Sequence, residues 1–182
     1  MVKIEYPDTE MWDESRNCFL TVPAGEVYLE HSLVAMSKWE SKYHKPFLST
    51  SDKTHDELRY YIRCMGLSAK RDEILDDEVA SLLVSSDKYI SIIKSYLEDP
   101  LTATTVKNDS KKGPSKVITS EVIYSWLVAH QIDFSVQYWP LPRLIKLVEV
   151  CNANNQPSKK MGKAGTMNYH RAMNAARRPK KP

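Results

Sequence analysis

From residue 30 to residue 150, apolar side chains recur at the three- and four-residue spacing that gathers them on one face of a helix. Over Glu30–Lys42, Leu33, Met36 and the following Tyr43 share a face; the stretch stops before Pro46, since proline disfavours helix in the residue preceding it. Thr54-His55-Asp56-Glu57 is a capping box, in which hydroxyl and carboxyl satisfy each other's otherwise unpaired amides. Leu58, Tyr61, Ile62 and Met65 then fall at i, i+3, i+4 and i+7 and predict an amphipathic helix ending at Gly66. Leu75, Val79, Leu82 and Leu83 predict a short acidic helix. Ser86 caps another, with Ile90, Ile93 and Leu97 inward and Asp99-Pro100 closing it. Thr119 caps a helix to about Gln131, and Val122, Ile123, Tyr124, Trp126, Leu127 and Val128 surround it with apolar groups, as in a central helix. Gln137-Tyr138-Trp139-Pro140 leads into a helix with Leu141, Leu144, Ile145 and Val148 inward.

Before residue 29 the pattern is different. Lys3–Tyr6 and Cys18–Val22 are β-prone and bounded by Pro7 and Pro23-Ala24-Gly25, so they are expected to pair as a small sheet joined through Asp8–Arg16. Residues 107–116 are a polar loop within one domain. From Asn152 apolar periodicity ends; a short helix over Thr166–Ala176 has little to bury. The expected fold is mainly α: a small N-terminal β element (1–28) packed on the body, a compact helical domain (29–151) and a basic tail or arm (152–182).

Composition adds one fact that patterning misses. The 182 residues hold 26 Lys plus Arg against 23 Asp plus Glu, net +3. None of the acids lies beyond Glu149, so residues 150–182 carry eight bases and +8, while residues 1–149, with 18 bases, carry −5. An acidic body bears a basic tail. That tail (Lys159, Lys160, Lys163, Arg171, Arg177, Arg178, Lys180, Lys181) suits nucleic-acid phosphates, bound with strong salt dependence. It equally suits an acidic partner or a neighbouring copy's acidic body, or a solvated terminus with no partner. The chain is too apolar to be disordered throughout, no run is long enough to span a membrane, and no secretory signal is evident at Met1–Glu5.

Candidate chemistry is sparse. Gly113, Gly162 and Gly165 make no phosphate loop, and no nucleophile elbow, HExxH, DFG or EF-hand pattern occurs. His31, His44, His55, His130 and His170 are scattered, and Cys18, Cys64 and Cys151 form no CxxC pair, so reduced thiols without metal are expected. Asp72-Glu73 and Asp76-Asp77-Glu78 read as a solvated helix start favoured by the helix dipole, with a divalent-cation site the sharper alternative. The expectation is a non-enzyme without cofactor. Lys38, Trp39, Lys42, Lys45 and Phe47 interleave bases and aromatics. That pattern either stacks and pairs with a single-stranded nucleic acid or other partner, or buries Trp39 and Phe47 in the core with their Lys neighbours in water. Tyr138 and Trp139 are an aromatic hinge between helices or a partner hot spot.

Several strings in order resemble a family of tailed-bacteriophage proteins from the structural-gene cluster. They are Leu29-Glu30-His31-Ser32-Leu33-Val34-Ala35-Met36-Ser37-Lys38-Trp39-Glu40-Ser41-Lys42, Lys45-Pro46-Phe47-Leu48, Lys53-Thr54, Tyr61-Ile62-Arg63-Cys64-Met65, Thr102-Ala103-Thr104, Ile118 to Trp126, Gln137-Tyr138-Trp139 and Val150-Cys151-Asn152. The basic tail after Lys159-Lys160-Met161 belongs to the same pattern, and the likeness spans about residues 27–177. It implies a tail assembly chaperone that holds the tape-measure protein, a helical client, in the host cytoplasm before the tail tube polymerises. The alternative it leaves open is a virion building block of neck, tail or baseplate, whose tail contacts neighbouring subunits or DNA. Two departures stand out. The family usually follows its Tyr-Trp pair with a His and a helix-capping Asn, where this chain has Pro140 and Pro142; and Thr105-Val106 supplies no aromatic after Thr-Ala-Thr.

Overall fold

The computed structural model describes residues 1–13, 17–50, 52–67, 74–105, 117–155 and 163–176. The N-terminal strands β1 (Val2–Tyr6), β2 (Thr9–Asp13), β3 (Cys18–Val22) and β4 (Gly25–Leu29) form two antiparallel pairs, β1 with β4 and β2 with β3. Both ladders keep one register, with paired residue numbers summing to 31, so they read as two segments of one ribbon. The break falls where Pro7 and Pro23 lack the amide a ladder needs, and the Asp8 carboxylate accepts the Ala24 N–H there at 2.6 Å. Ile4, Val22, Val27 and Leu29 are buried, while Lys3 pairs with both Glu5 and Glu26 on the exposed side. The expected pairing of Lys3–Tyr6 with Cys18–Val22 is therefore corrected. The supposed connection contains β2, and Gly25–Leu29, whose in–out alternation is that of a strand, is the partner of β1.

Seven α-helices follow among the described residues: α1 (Leu33–Tyr43), α2 (His55–Met65), α3 (Asp77–Ser85), α4 (Asp87–Glu98), α5 (Ser120–Ala129), α6 (Leu141–Asn155) and α7 (Lys163–Ala176), with a 3-10 turn at Phe134–Tyr138. The Thr54–Glu57 capping box forms in full. α1 begins three residues later than expected, because Glu30, His31 and Ser32 are extended and tie elements together instead. Glu30 N donates to Met65 O at 2.8 Å, and His31 O accepts from Leu141 N at 2.6 Å. Gly66 ends α2 with an ordinary negative φ, and its value is space: a Cβ there would lie 2.8 Å from the Leu75 Cβ. α5 is less central than its sequence suggests; Ile123 and Leu127 are buried, but Val128 is 63% exposed.

The chain divides into two units, Met1–Cys151 and Asn152–Pro182. In the first, ribbon and helices share one core built around Leu29, Leu33, Met36, Trp39, Tyr61, Ile62, Leu83, Ile123, Leu127, Leu141 and Leu144. No helix among the described residues is long and apolar enough to cross a membrane.

Candidate partner-binding surfaces

The aromatic-basic segment of α1 turns inward. Trp39 is 0% exposed, and its indole N–H donates to Glu57 O at 2.9 Å. Phe47 stacks on Tyr61 at 4.0 Å between ring centroids and meets Trp39 edge-on at 5.1 Å. Their assignment to a partner surface is thus corrected: both indole faces and the phenyl ring are spent on core packing, leaving nothing for a base or client to stack on. The bases around them are held too. Lys45 Nζ reaches the buried Glu57 carboxylate at 2.6 Å, and Lys42 sits 3.7 Å above the Tyr60 ring. Lys38, half-buried on α1, stands close enough to Cys64 to act on its thiol electrostatically.

Three buried polar groups brace this region. Glu40 accepts the Phe47 amide on Oε1 at 2.8 Å, and on Oε2 it accepts the Ser120 amide at 2.7 Å and the Ser120 hydroxyl at 2.6 Å. Glu57 is held below the usual carboxylate range by Lys45 and then by the Thr54 amide. His31 is pushed down to about 4 by burial and then by the nearby Lys53 cation, so its ring is neutral near pH 7, and Nδ1 is hydrogen-bonded to the Tyr61 hydroxyl. Burial likewise pushes the Cys64 thiol up to about 11, leaving it unreactive.

The second aromatic site turns outward. Tyr138 and Trp139 close the 3-10 turn, each 37% exposed, and Phe134 at its start is 48% exposed. The Asp133 side chain caps that turn by accepting Ser135 N–H at 2.7 Å. Arg143, in the first turn of α6, covers one face of the Trp139 ring at 4.6 Å, and Tyr124 anchors the turn through Gln137 at 2.9 Å. Pro140 and Pro142 fit here. Pro140 precedes α6 and accepts the Leu144 amide at 3.0 Å, and Pro142 lies in the first turn, where no intrahelical donor is required. Sequence reasoning missed Val128, Phe134 and Arg143.

Other expectations fall elsewhere. Asp76 is the N-cap of α3, and Asp77, in its first turn, pairs with Arg63 at 3.3 Å and Arg59 at 3.6 Å. Asp72, Glu73 and the 107–116 loop lie outside the described residues. So do Lys159, Lys160, Arg177, Arg178, Lys180 and Lys181 of the basic tail. Lys163 starts α7, and Arg171 is exposed on it. No group of three or more metal-ligating side chains comes together among the described residues. At the ribbon tip Trp12 and Phe19 face each other across the strands at 4.9 Å, both exposed. No protein-family model, curated protein or solved structure matches the chain.

Proposed function

We propose that this protein is a binding module of the tail-assembly-chaperone type, holding a helical client such as a tape-measure protein during phage tail morphogenesis. The observation that carries this reading is the outward-facing group Val128, Phe134, Tyr138 and Trp139. Four large apolar side chains project from the chain between residues 128 and 139, although the same unit has a filled core to receive them. Half-exposed aromatics steadied by a cap and a cation are typical anchors for the apolar stripe of an amphipathic helix. The ordered strings that resemble a tailed-bacteriophage structural-gene family point the same way, and the reading is one of binding without catalysis.

Co-expression with the tape-measure protein of the same phage tests it. The full chain is expected to co-purify with that client, and Phe134→Ser with Trp139→Ala to reduce recovery at least tenfold while far-UV circular dichroism and melting stay unchanged. Equal recovery of client by the double variant would remove this surface from the reading. The second reading, a virion building block, is favoured by the exposed Trp12–Phe19 pair at the ribbon tip, a natural contact for a neighbouring subunit. Mass spectrometry of purified virions separates the two, because a chaperone is expected to be missing from them and a building block to be present at fixed copy number.

A further inference from the structure

A pocket of about 300 Å³ opens where α1, α2 and the start of α3 meet. Lys42 of α1, Arg59 and Arg63 of α2 and Asp77 of α3 line it, and the rings of Tyr43 and Tyr60 form its wall. Arg59 and Arg63, four residues apart, lie on one face of α2.

The cations are fixed in place but only partly matched. Arg63 Nε donates to Leu75 O at 2.9 Å, which sets the plane of the guanidinium, and its Nη1 meets the Asp77 carboxylate at 3.3 Å. Arg59 lies 3.6 Å from the same carboxylate and 3.4 Å from Asp56, whose side chain is 77% exposed. These three contacts are longer than the roughly 2.7–2.9 Å of a full charge-assisted hydrogen bond. Lys45 and Glu57, in the same unit, meet at 2.6 Å. Among the described residues, Arg63 Nη2 and Lys42 Nζ have no acceptor; Lys42 rests 3.7 Å above the Tyr60 ring and 5.5 Å from that of Tyr43.

Three bases against two acids leave one positive charge at the pocket, within a body of net −5. A single carboxylate balances that charge, and its two oxygens suit a guanidinium edge and an ammonium. A phosphate monoester, almost doubly charged at neutral pH, would exceed it and face Asp56 and Asp77. A nucleic-acid phosphodiester has the right charge, but Lys42 covers the Tyr60 face on which a base would stack. We infer that this pocket seats the carboxylate of an acidic side chain from a peptide partner, held between Lys42 Nζ and Arg63 Nη2 with the tyrosine rings against its methylene stem.

Two-dimensional amide NMR of the full chain, titrated with a blocked peptide of alternating Glu and Ala, tests it. The backbone amides of Lys42, Tyr60 and Arg63 report on the pocket, so peptide held by the basic tail is seen separately. They are expected to shift saturably. Replacing Glu by Gln in the peptide, or Lys42→Met in the protein, is expected to weaken that titration at least tenfold. Lys94→Met, which removes an exposed base on α4, is expected to leave it unchanged. Lys42 is exposed and its printed neighbours are two rings, so its loss leaves the fold intact, which thermal melting checks. Amides that do not move, equal binding of the Gln peptide, or indifference to Lys42→Met would each overturn the proposal. So would tighter titration of the same amides by inorganic phosphate or a single-stranded DNA oligonucleotide.

Discussion

Two tryptophans, each close in sequence to other aromatics and bases, meet opposite fates. Trp39 has Lys and Glu neighbours and Phe47 eight residues on; Trp139 follows Tyr138 and precedes Pro140. The first lies inside α1, on the stripe shared by Leu33 and Met36, so the periodicity that builds the helix also carries the indole into the core. There its N–H finds Glu57 O. The second stands at a helix entrance, where extended backbone has no buried side and the ring lies along Arg143. Position relative to the helical stripe, and not the aromatic-cationic composition around it, separates core from surface.

The contrast is sharpest in stability. Trp39→Ala is expected to cost about 3–5 kcal/mol by urea denaturation, as for other large-to-small core changes. Glu40→Ala comes next, at about 3 kcal/mol, because three buried donors lose their acceptor at once; Glu40→Gln, which keeps one carbonyl oxygen, should recover part of it. A result for Glu40→Ala near zero would mean that water reaches these donors, and the region would no longer count as sealed.

Acid provides a third comparison. The folded pKa of His31 lies below its unfolded value, so the unfolded chain gains the proton first, and stability falls as pH drops from about 6.5 to about 4. The full difference is about 3 kcal/mol, and His31→Gln should flatten this part of the profile measured by denaturant titration at successive pH values. An unchanged profile would mean that His31 is solvated in the folded protein. Smaller again, Thr54→Ala should lower stability by about 1 kcal/mol through loss of the cap. Smallest is Trp139→Ala, expected to change stability by under about 0.5 kcal/mol, as at other exposed sites. A cost comparable to that of Trp39→Ala would erase the distinction between the two sites.

Much of the helical layout was legible. The Thr54–Glu57 box, the stripe of α2 and the inward face of α6 follow from local side-chain chemistry and spacing, which the sequence states directly; on α4 the expected inward Ile93 is buried, but Tyr89 rather than Ile90 joins it and Ile90 lines an open groove. The ribbon was not legible in the same way, since its register depends on which strands meet, and four short β-prone segments allow several pairings. Val128 misled because an apolar residue on an all-apolar helix reads as buried until the packing of neighbouring elements is known. Of the expected contact residues, Tyr138 and Trp139, singled out for their place before a helix, are exposed. Trp39 and Phe47 drew notice for their neighbours' charges, which say nothing about which way a ring points.

The Glu40–Ser120 clasp also has a consequence in time. Its partners are 80 residues apart in sequence, and at synthesis rates of roughly 5–20 residues per second Ser120 emerges about 4–16 s after Glu40. For that interval the carboxyl group has no partner on α5 and stays hydrated, which keeps the α1 surface that α5 will cover from closing early. Nascent chains are then expected to complete the ribbon, α1 and α2 first, and to seal the core only after α5 and then α6, with Leu141 and Leu144, have arrived.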